Sequence, residues 1–347
     1  MANLFTNHAG YPTTRFSYSM GQDFKTCRKY FQLKRIVGYR EREKRAAMEI
    51  GNVVEAALKL YHETGCKPGT GVDEFKRLWL PFKEADLTYS SKDGNWSDMY
   101  QAGAEMLALY EAKWRSFGYS NPKFQVSYTK EVFPGTELAG IDFIAYVDML
   151  VDFEYEDGKG HPGMVDIKVS GSGLDATENI LLLDPQLRSY AWVSSTPDQA
   201  FLWMHRHKPG EYKKGDRASL LSDGSDVLIS KGGKSVSITD LDGKNERPVD
   251  TSALTKQSIQ FVRVHIPYDD QIEQGESIGQ AIAEIAAAEK RGSYPKEPGV
   301  RFPQNKCTMC SMLGVCINNK DLIESKLIAP PSNKWKKKEA EDWIDSI

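Results

Sequence analysis

Two segments in which apolar and polar residues alternate most constrain what this chain can fold into. ELAGIDFIAYVDMLVDFEY at residues 137–155 and GMVDIKVS at residues 163–170 repeat with the period of two that is typical of β-strands. The linking EDGKGHPG is rich in turn-forming residues, which predicts a β-hairpin. FQVSYTKEVF at residues 124–133 predicts another strand just upstream. The middle of the chain therefore predicts a sheet.

Helical periodicity dominates the chain before this block. Apolar spacing predicts helix over residues 17–62 and 72–117, the second with a polar break near SSKDGNWSD. After the block we predict a helix opened by Asp184 and Pro185, the strands QAFLWMHRH and FVRVHIPY, and the helix SIGQAIAEIAAAEKRG, ended by Gly292. The order of helices, strands, helix, strand and helix indicates a mixed α/β fold.

Residues 213–258 are rich in Lys, Gly, Ser and Asp and are predicted to be a polar insertion of short strands or loops. We therefore divide the chain into residues 1–212, with the N-terminal helical region and most of the core, and residues 259–325, with the rest of the core and a cysteine-rich region. Residues 326–347 are predicted to be a mobile tail.

Composition excludes several classes of protein. No apolar run approaches transmembrane length, and the N-terminus has no hydrophobic signal region, so we expect a cytoplasmic protein without a membrane partner. The five cysteines are an odd and small number. In a reducing compartment they are expected to be metal ligands or free thiols rather than a disulfide framework.

The stretch RKYFQLKRIVGYREREKR at residues 28–45 carries local positive charge that the net charge of −3 conceals. Phosphate-binding surfaces need local charge of this kind, and aromatic residues are interleaved with it. Arg28, Lys29, Lys34 and Arg35 are therefore candidate DNA contacts. The stretch alone is equally typical of a solvated helix face.

Asp166 and Lys168, in the strand VDIKV, are expected on one face of the sheet, about 7 Å apart by the strand rise. The apolar residues of the same strand would face a packed helix. A carboxylate can hold Mg²⁺, and a neighbouring lysine can activate water or stabilise developing phosphorane charge. This pair predicts hydrolytic chemistry, although DxK alone is also typical of a surface ion pair.

Asp148, in AYVDMLV, offers a second carboxylate, because the predicted hairpin would bring it close to Asp166. Asp142 and Asp152 share its strand parity, and Asp142 is a rival for its role. Glu55 lies at the margin of the apolar stripe of the helix at residues 46–62, and Gly51 one turn earlier would allow close approach of another backbone.

Gln186 and Tyr190 are spaced i, i+4 on the helix that follows the DxK strand, so they share one helix face. There they would contact DNA phosphate or brace the lysine. A polar helix surface is the plainer interpretation of the same spacing.

Cys307, Cys310 and Cys316 lie within ten residues, and Cys27 lies near the other end of the chain. The four can form one site only if the two ends meet. Zinc ribbons normally use two CxxC pairs, and this chain has one, whereas a [4Fe–4S] cluster takes four thiolates with looser spacing. Cys66 has no evident partner and is expected to be a free thiol.

Together these motifs resemble the RecB-like branch of the PD-(D/E)xK nuclease superfamily, in the form with an Fe–S cluster. AddB-type nuclease domains, CRISPR-associated Fe–S exonucleases and related phage enzymes belong to that group. The resemblance covers roughly residues 17–316 without the insertion. FSYSMGQDFKTCRKYFQLKRIVGY is similar to the opening helix with its first cysteine, EIGNVVEAALKLYHE to the motif I helix, and GSYPKEPGVRFPQNKCTMCSMLGVC to the closing cluster motif. Val147-Asp148 stands at PD, Asp166-Ile167-Lys168 at (D/E)xK and Gln186-x3-Tyr190 at QxxxY.

The resemblance implies a restriction-endonuclease-like core, a mixed sheet flanked by helices, with a helical clasp formed by both ends. It implies a DNA nuclease using Mg²⁺ or Mn²⁺ and a structural [4Fe–4S] cluster. The implied roles are metal binding by Asp148, Asp166, Glu55 and the Ile167 carbonyl; water activation by Lys168; support by Gln186 and Tyr190; and cluster binding by Cys27, Cys307, Cys310 and Cys316.

The chain departs from the family pattern at two positions. Valine replaces the proline of PD, which removes no ligand. Glu55 stands where many relatives have a metal-binding histidine, so the third ligand is open. The alternatives are a non-catalytic DNA-end-binding subunit working with helicase, recombinase, CRISPR or phage replication partners, and a regulatory zinc protein.

Overall fold

The computed structural model describes residues 4–7, 11–156, 158–174, 178–233, 235–299 and 306–329. None of the helices within these ranges is long and apolar enough to cross a membrane. The helices are α1 Tyr18–Thr26, α2 Arg28–Phe31, α3 Ala46–Glu63, α4 Thr70–Trp79, α5 Trp96–Lys113, α6 Glu178–Leu181, α7 Pro185–Ser194, α8 Tyr268–Arg291, α9 Leu313–Cys316 and α10 Lys320–Lys326. The strands are β1 Phe5–Thr6, β2 Pro12–Thr13, β3 Arg15–Phe16, β4 Arg40–Glu41, β5 Lys44–Arg45, β6 Leu87–Thr88, β7 Tyr119–Glu131, β8 Asp142–Glu154, β9 Gly160–Ser170, β10 Asp198–His205, β11 Arg217–Leu220, β12 Asp226–Lys231, β13 Val236–Thr239, β14 Arg247–Val249, β15 Leu254–Thr255, β16 Ser258–His265 and β17 Leu327–Ile328.

The central sheet is mixed and six-stranded, in the order β16-β10-β9-β8-β3, with β7 also paired to β8. β8 and β9 form an antiparallel hairpin, as their alternation and linking turn predict, and β9 pairs in parallel with β10. The mixed α/β expectation is therefore confirmed.

One edge of β8 changes partner along its length. β7 occupies the other edge almost from end to end. On this edge β9 pairs only as far as Met149 and Val165, whereas β3 pairs at Asp142 and Phe143. The stretch of β8 between these two partners has no ladder on this edge, so the sheet opens at Asp148.

Helices cover both faces of the sheet. α3, α4 and α5 pack on one face in a cluster that includes Leu58, Phe75 and Val165. α1, α7 and α8 pack on the other, in a cluster that includes Ile282 and Met164. Val165, Ile167 and Val169 of β9 therefore face α3 across one layer, as the alternation predicts, whereas Met164 lies on the other face.

The first predicted helix is interrupted. The chain forms α1 and α2, a π-helical turn over Gln32–Val37, two short strands and only then α3. Gly38 adopts φ +90°, a left-handed conformation that ends the helix and that glycine adopts without strain. Periodicity alone misses the break because the apolar spacing continues beyond it. The last predicted helix starts earlier than expected, at Tyr268.

The insertion folds as an antiparallel sheet in the order β14-β13-β12-β11-β15 with a small apolar cluster of its own. The tail begins differently from the prediction. Leu327 is buried and pairs with Glu41, so the expectation of a mobile tail from residue 326 is wrong for β17. Residues 330–347 lie outside the described residues.

A polar network lies inside the α3–α5 layer. His62 Nε2 is 2.6 Å from the Tyr110 hydroxyl, which lies 2.5 Å from the Tyr119 hydroxyl. Cys66 Sγ lies 3.4 Å from His62 Nδ1. Burial lowers the pKa of His62 to about 4. The imidazole is therefore neutral in the folded protein at neutral pH.

This shift predicts an acid-sensitive fold. Between pH 6.5 and pH 4 the unfolded chain protonates His62 and the folded chain does not, so stability falls as the pH falls, by at most about 3 kcal/mol. His62→Gln should flatten the dependence of the melting temperature on pH across this window, measured by thermal denaturation. His265→Gln, at an exposed histidine, should keep the parental dependence. Equal slopes in all three proteins would contradict the assignment.

Candidate active site

Asp148 and Asp166 lie at the opening between β8 and β9. Beyond Met149 the two strands no longer pair, and the Ile167 N–H, free of the ladder to β8, donates to Asp148 Oδ2 at 2.8 Å. Burial raises the pKa of Asp148, and the Ile167 N–H and Lys168 oppose the shift. The divergence of two strands thus places a half-buried carboxylate beside the DxK motif.

Asp166 is the most buried group of the site, with 1% of its surface exposed. Its Oδ2 lies 2.7 Å from Lys168 Nζ, but no donor in the described residues meets Oδ2 with hydrogen-bond geometry. Burial raises the pKa of Asp166 to about 7, against the attraction of Lys168. Asp166 is therefore a buried carboxyl group that is partly protonated near neutral pH, with one incompletely used oxygen.

Gln186 joins the strand to α7. Its Nε2 donates to Asp166 Oδ1 at 2.8 Å and lies 2.7 Å from the Tyr190 hydroxyl, while its Oε1 accepts from Lys168 at 3.3 Å. Asp184 caps α7 by accepting hydrogen bonds from the backbone N–H groups of Gln186 and Leu187. The cap fixes the first turn of the helix and the position of Gln186 in it. The i, i+4 spacing thus braces both the lysine and the carboxylate.

Glu55 reaches the same opening from α3. Burial raises its pKa, and the negative charge of Asp148 adds to the shift. The Gln125 amide and the Lys168 ammonium group oppose it. Gly51 does not have the predicted role, because among the described residues no other segment of the chain comes within 4 Å of a Cβ placed there, and that expectation is wrong.

The donor set fits a hard divalent cation. Burial raises the pKa values of three carboxyl groups because water solvates their ionised forms poorly, and a bound cation would stabilise those ionised forms. Asp166 Oδ2 provides an oxygen without a hydrogen-bond donor. Among the described residues, no group of three or more His, Cys, Asp or Glu side chains is arranged around a single ion. Mg²⁺ commonly uses only one or two carboxylates and takes water and substrate phosphate for the rest.

Three residues that the sequence reasoning missed also border the site. Burial, with the charges of Asp184 and Asp166, raises the pKa of Tyr18 to about 12. Tyr146 is 62% exposed, and its carbonyl accepts from the Tyr190 hydroxyl at 3.1 Å. Gln125 stands opposite Asp148 with φ +55°, which is unusual for a side chain of this size. Only Tyr146 carried a sequence signal, because it shares the parity of Asp148.

The rival carboxylates lie elsewhere on the same strand. Asp142 begins β8, where it lies opposite Glu131 of β7 and Arg15 of β3 in the strand register. It is six residues from Asp148, about 20 Å along a strand. Asp152 accepts from the Asn121 amide at 2.8 Å. The structure brings Asp148, and neither rival, to Asp166.

Most of the basic residues near the N-terminus form ion pairs with other residues of the protein. Lys29 is buried, 6% exposed, so the prediction that it contacts DNA is wrong. Arg28 pairs with Glu284 at 3.2 Å. Lys34 and Arg35 both pair with Asp23, at 3.1 and 2.5 Å. Their predicted contacts with DNA would compete with these acidic partners.

The cysteines of the two ends meet. Cys27, Cys307, Cys310 and Cys316 line one cavity of about 450 Å³. Burial raises the pKa of the Cys310 and Cys316 thiols, and the neighbouring cysteines add to the rise. The Lys306 ammonium donates to the Thr26 carbonyl at 2.6 Å, and Lys296 to the Cys316 carbonyl at 2.7 Å. Cys66 lies apart, beside His62.

Residues 15–317 match the family model described as the PD-(D/E)XK nuclease superfamily. The chain belongs to this superfamily. A search of curated proteins gives no significant match. Among solved structures, a candidate exonuclease from Eubacterium rectale is 15% identical, with 84% of this chain and 87% of that one covered and a TM-score of 0.45. The protein SSO0001 is 11% identical, with 77% and 84% covered and a TM-score of 0.28.

Membership of the PD-(D/E)XK superfamily supports a nuclease activity, and enzymes of this superfamily typically use Mg²⁺ or Mn²⁺. The matched residues include the whole opening between β8 and β9. They also include all four cysteines of the 450 Å³ cavity.

Proposed function

We propose that this protein is a metal-dependent DNA nuclease of the RecB-like branch, acting as an exonuclease or in DNA-end processing. The observation that carries the proposal is the contact set of Gln186, which joins Asp166, Lys168 and Tyr190 at the point where Asp148 also arrives. A surface ion pair would not need a buried carboxylate held from two elements.

Each residue has a role that its contacts support. Asp148 and Asp166 would hold Mg²⁺ or Mn²⁺, with Glu55 and the Ile167 carbonyl as further donors. The bound ion would polarise the scissile phosphate and lower the pKa of a water molecule. Lys168, 37% exposed and fixed by Gln186, is positioned to orient that water or to stabilise the charge that develops on the phosphate.

The second part of the proposal is a structural [4Fe–4S] cluster on Cys27, Cys307, Cys310 and Cys316. Zinc requires four ligands about 2.3 Å from one ion. The four cysteines line one cavity of about 450 Å³, which supports a single four-thiolate site. A zinc ribbon normally uses two CxxC pairs and this chain has one, whereas a [4Fe–4S] cluster takes four thiolates with looser spacing.

A non-catalytic DNA-end-binding subunit of a recombination, CRISPR-adaptation or phage replication complex is the alternative. DNA binding requires no buried carboxylate beside a lysine, so the burial of Asp166 favours the enzyme. Helicase or recombinase partners belong to either version of the proposal.

The experiment is a titration of Mg²⁺ and Mn²⁺ on end-labelled single- and double-stranded DNA, with Lys168→Ala as the comparison. We expect cleavage that depends on the metal and is lost in the variant. DNA binding without cleavage under every metal condition would support the alternative, and equal cleavage by both proteins would exclude the assigned site.

A further inference from the structure

A basic groove lies beside the N-terminal end of α3, outside the site already described. It has a volume of about 570 Å³. We call it the α3 groove and define it by Arg40, Lys44, Arg45, Met48 and Asn52, which line it. All five residues have exposed side chains. This exposure distinguishes them from Lys29, which is buried.

The charge of the α3 groove is available to a ligand. Its lining includes five basic residues and three glutamates, although the whole chain has a net charge of −3. Arg45 is held only loosely, at 3.7 Å from Glu41 and with 55% of its side chain exposed. Lys34 and Arg35, also in the lining, are held by Asp23. The basic residues left for a ligand are therefore Arg40, Lys44 and Arg45, on β4 and β5, and the lining carries an equal number of glutamates, Glu41, Glu43 and Glu49.

The α3 groove leads to the carboxylates. Met48, Asn52, Glu55 and Lys59 are spaced 4, 3 and 4 residues apart, so they follow one face of α3. The opposite face of α3 is buried in the core. Met48, 66% exposed, is therefore about 10 Å from Glu55 along the helix axis. A chain of phosphates that contacts Arg40 and Lys44 can continue along this face to the site.

We propose that the α3 groove binds the sugar–phosphate backbone of the DNA strand being cleaved, with Arg40, Lys44 and Arg45 as the phosphate contacts. This inference rests on the proposed nuclease function. It assigns phosphate contacts to Arg40, Lys44 and Arg45 in place of the buried Lys29. The groove also shares Glu41, Arg45 and Met312 with the lining of the cysteine cavity, so the fold of the two ends shapes the path.

The test measures binding without cleavage. Anisotropy of a labelled single-stranded oligonucleotide is followed in EDTA at several salt concentrations, for the parent and for the triple variant Arg40→Ala, Lys44→Ala, Arg45→Ala. Loss of three phosphate contacts should weaken binding at least tenfold at low salt and reduce the slope of log K against log salt by about 2. Lys213→Ala, Lys214→Ala, Lys244→Ala removes the same charge from exposed positions of the insertion and should bind like the parent.

Two further proteins make the outcomes distinct. Arg40→Lys, Lys44→Arg, Arg45→Lys keeps the charge and should retain binding. Met48→Glu is the substitute test if the triple variant fails to fold. It should weaken DNA binding, because it adds a negative charge at an exposed position of the α3 groove. If the triple variant binds DNA as tightly as the parent protein, and the parent cleaves DNA in Mn²⁺, the proposed DNA contact at the α3 groove is wrong. The proposed nuclease function would not be affected. A parent that neither binds nor cleaves DNA would overturn the proposed function.

Discussion

Asp166→Asn is expected to reduce DNA cleavage by at least about a thousandfold, because it removes a ligand from an ion that supplies several kcal/mol of transition-state stabilisation. The amide has nearly the same shape, but its single oxygen can face only one of the two donors, Gln186 Nε2 or Lys168 Nζ. Initial rates on end-labelled DNA at saturating Mn²⁺ give the loss directly. Lys168→Ala should cause a loss of similar size, through the water instead of the metal.

Stability separates a lost ligand from a damaged fold. Asp166→Asn removes the carboxylate that lies 2.7 Å from Lys168 Nζ, so the melting temperature of the metal-free variant is measured first as its own baseline. Adding Mn²⁺ should raise the melting temperature of the parent and not that of Asp166→Asn, since a ligand stabilises only the protein that binds it. At one hundred times its dissociation constant the ion contributes about 2.7 kcal/mol.

Asp142→Asn is the matched control. It makes the same Asp-to-Asn change in β8, at a position that shares the strand parity of Asp148 but lies about 20 Å from Asp148 along the strand. It should cleave like the parent and keep the stabilisation by Mn²⁺. Near-parental cleavage by Asp166→Asn, or loss of cleavage in Asp142→Asn, would show that the metal lies elsewhere on β8.

The part of the site that could be predicted from sequence depends on short-range geometry. Strand parity puts Asp166 and Lys168 on one face, and the turn after β8 makes the hairpin that brings Asp148 near. Helix spacing puts Gln186 and Tyr190 on one face in the same way. These regularities need only the local backbone, which the sequence pattern dictates.

The rest depends on tertiary packing. Lys29 looks like a surface residue in a basic stretch, and only the meeting of the two ends buries it. The φ of +55° at Gln125 has no signature in a sequence of ordinary strand residues. The break at Gly38 is local, but its reversal into β4 is stabilised by β17 from the far end of the chain.

The proposed [4Fe–4S] cluster predicts that Cys27→Ser loses most of the iron and the brown colour that iron–sulfur clusters give, and that its melting temperature falls by about 10 °C. A cross-link that closes a loop of this length contributes roughly 5–6 kcal/mol, and each kcal/mol moves the melting temperature of a large domain by about 2 °C. Cys27 lies between α1 and α2, and its three partners lie beyond α8. Without the cluster, ion pairs, hydrogen bonds and apolar packing, such as the stacking of Phe31 on Tyr294, would still hold α1 and α2 against the C-terminal segment.

Loss of the cluster should affect DNA binding more than it affects the rate of cleavage. The α3 groove shares Arg45 and Met312 with the cysteine cavity, whereas Asp166 is held by Gln186 from α7. Cys27→Ser should therefore weaken DNA binding more than it lowers the rate at saturating DNA. Cys66→Ser, the matched control, changes a thiol beside His62 and should keep the iron, the colour and DNA binding. Iron content and melting temperature are measured for both; iron kept by Cys27→Ser and lost by Cys66→Ser would show that the fourth ligand is wrong.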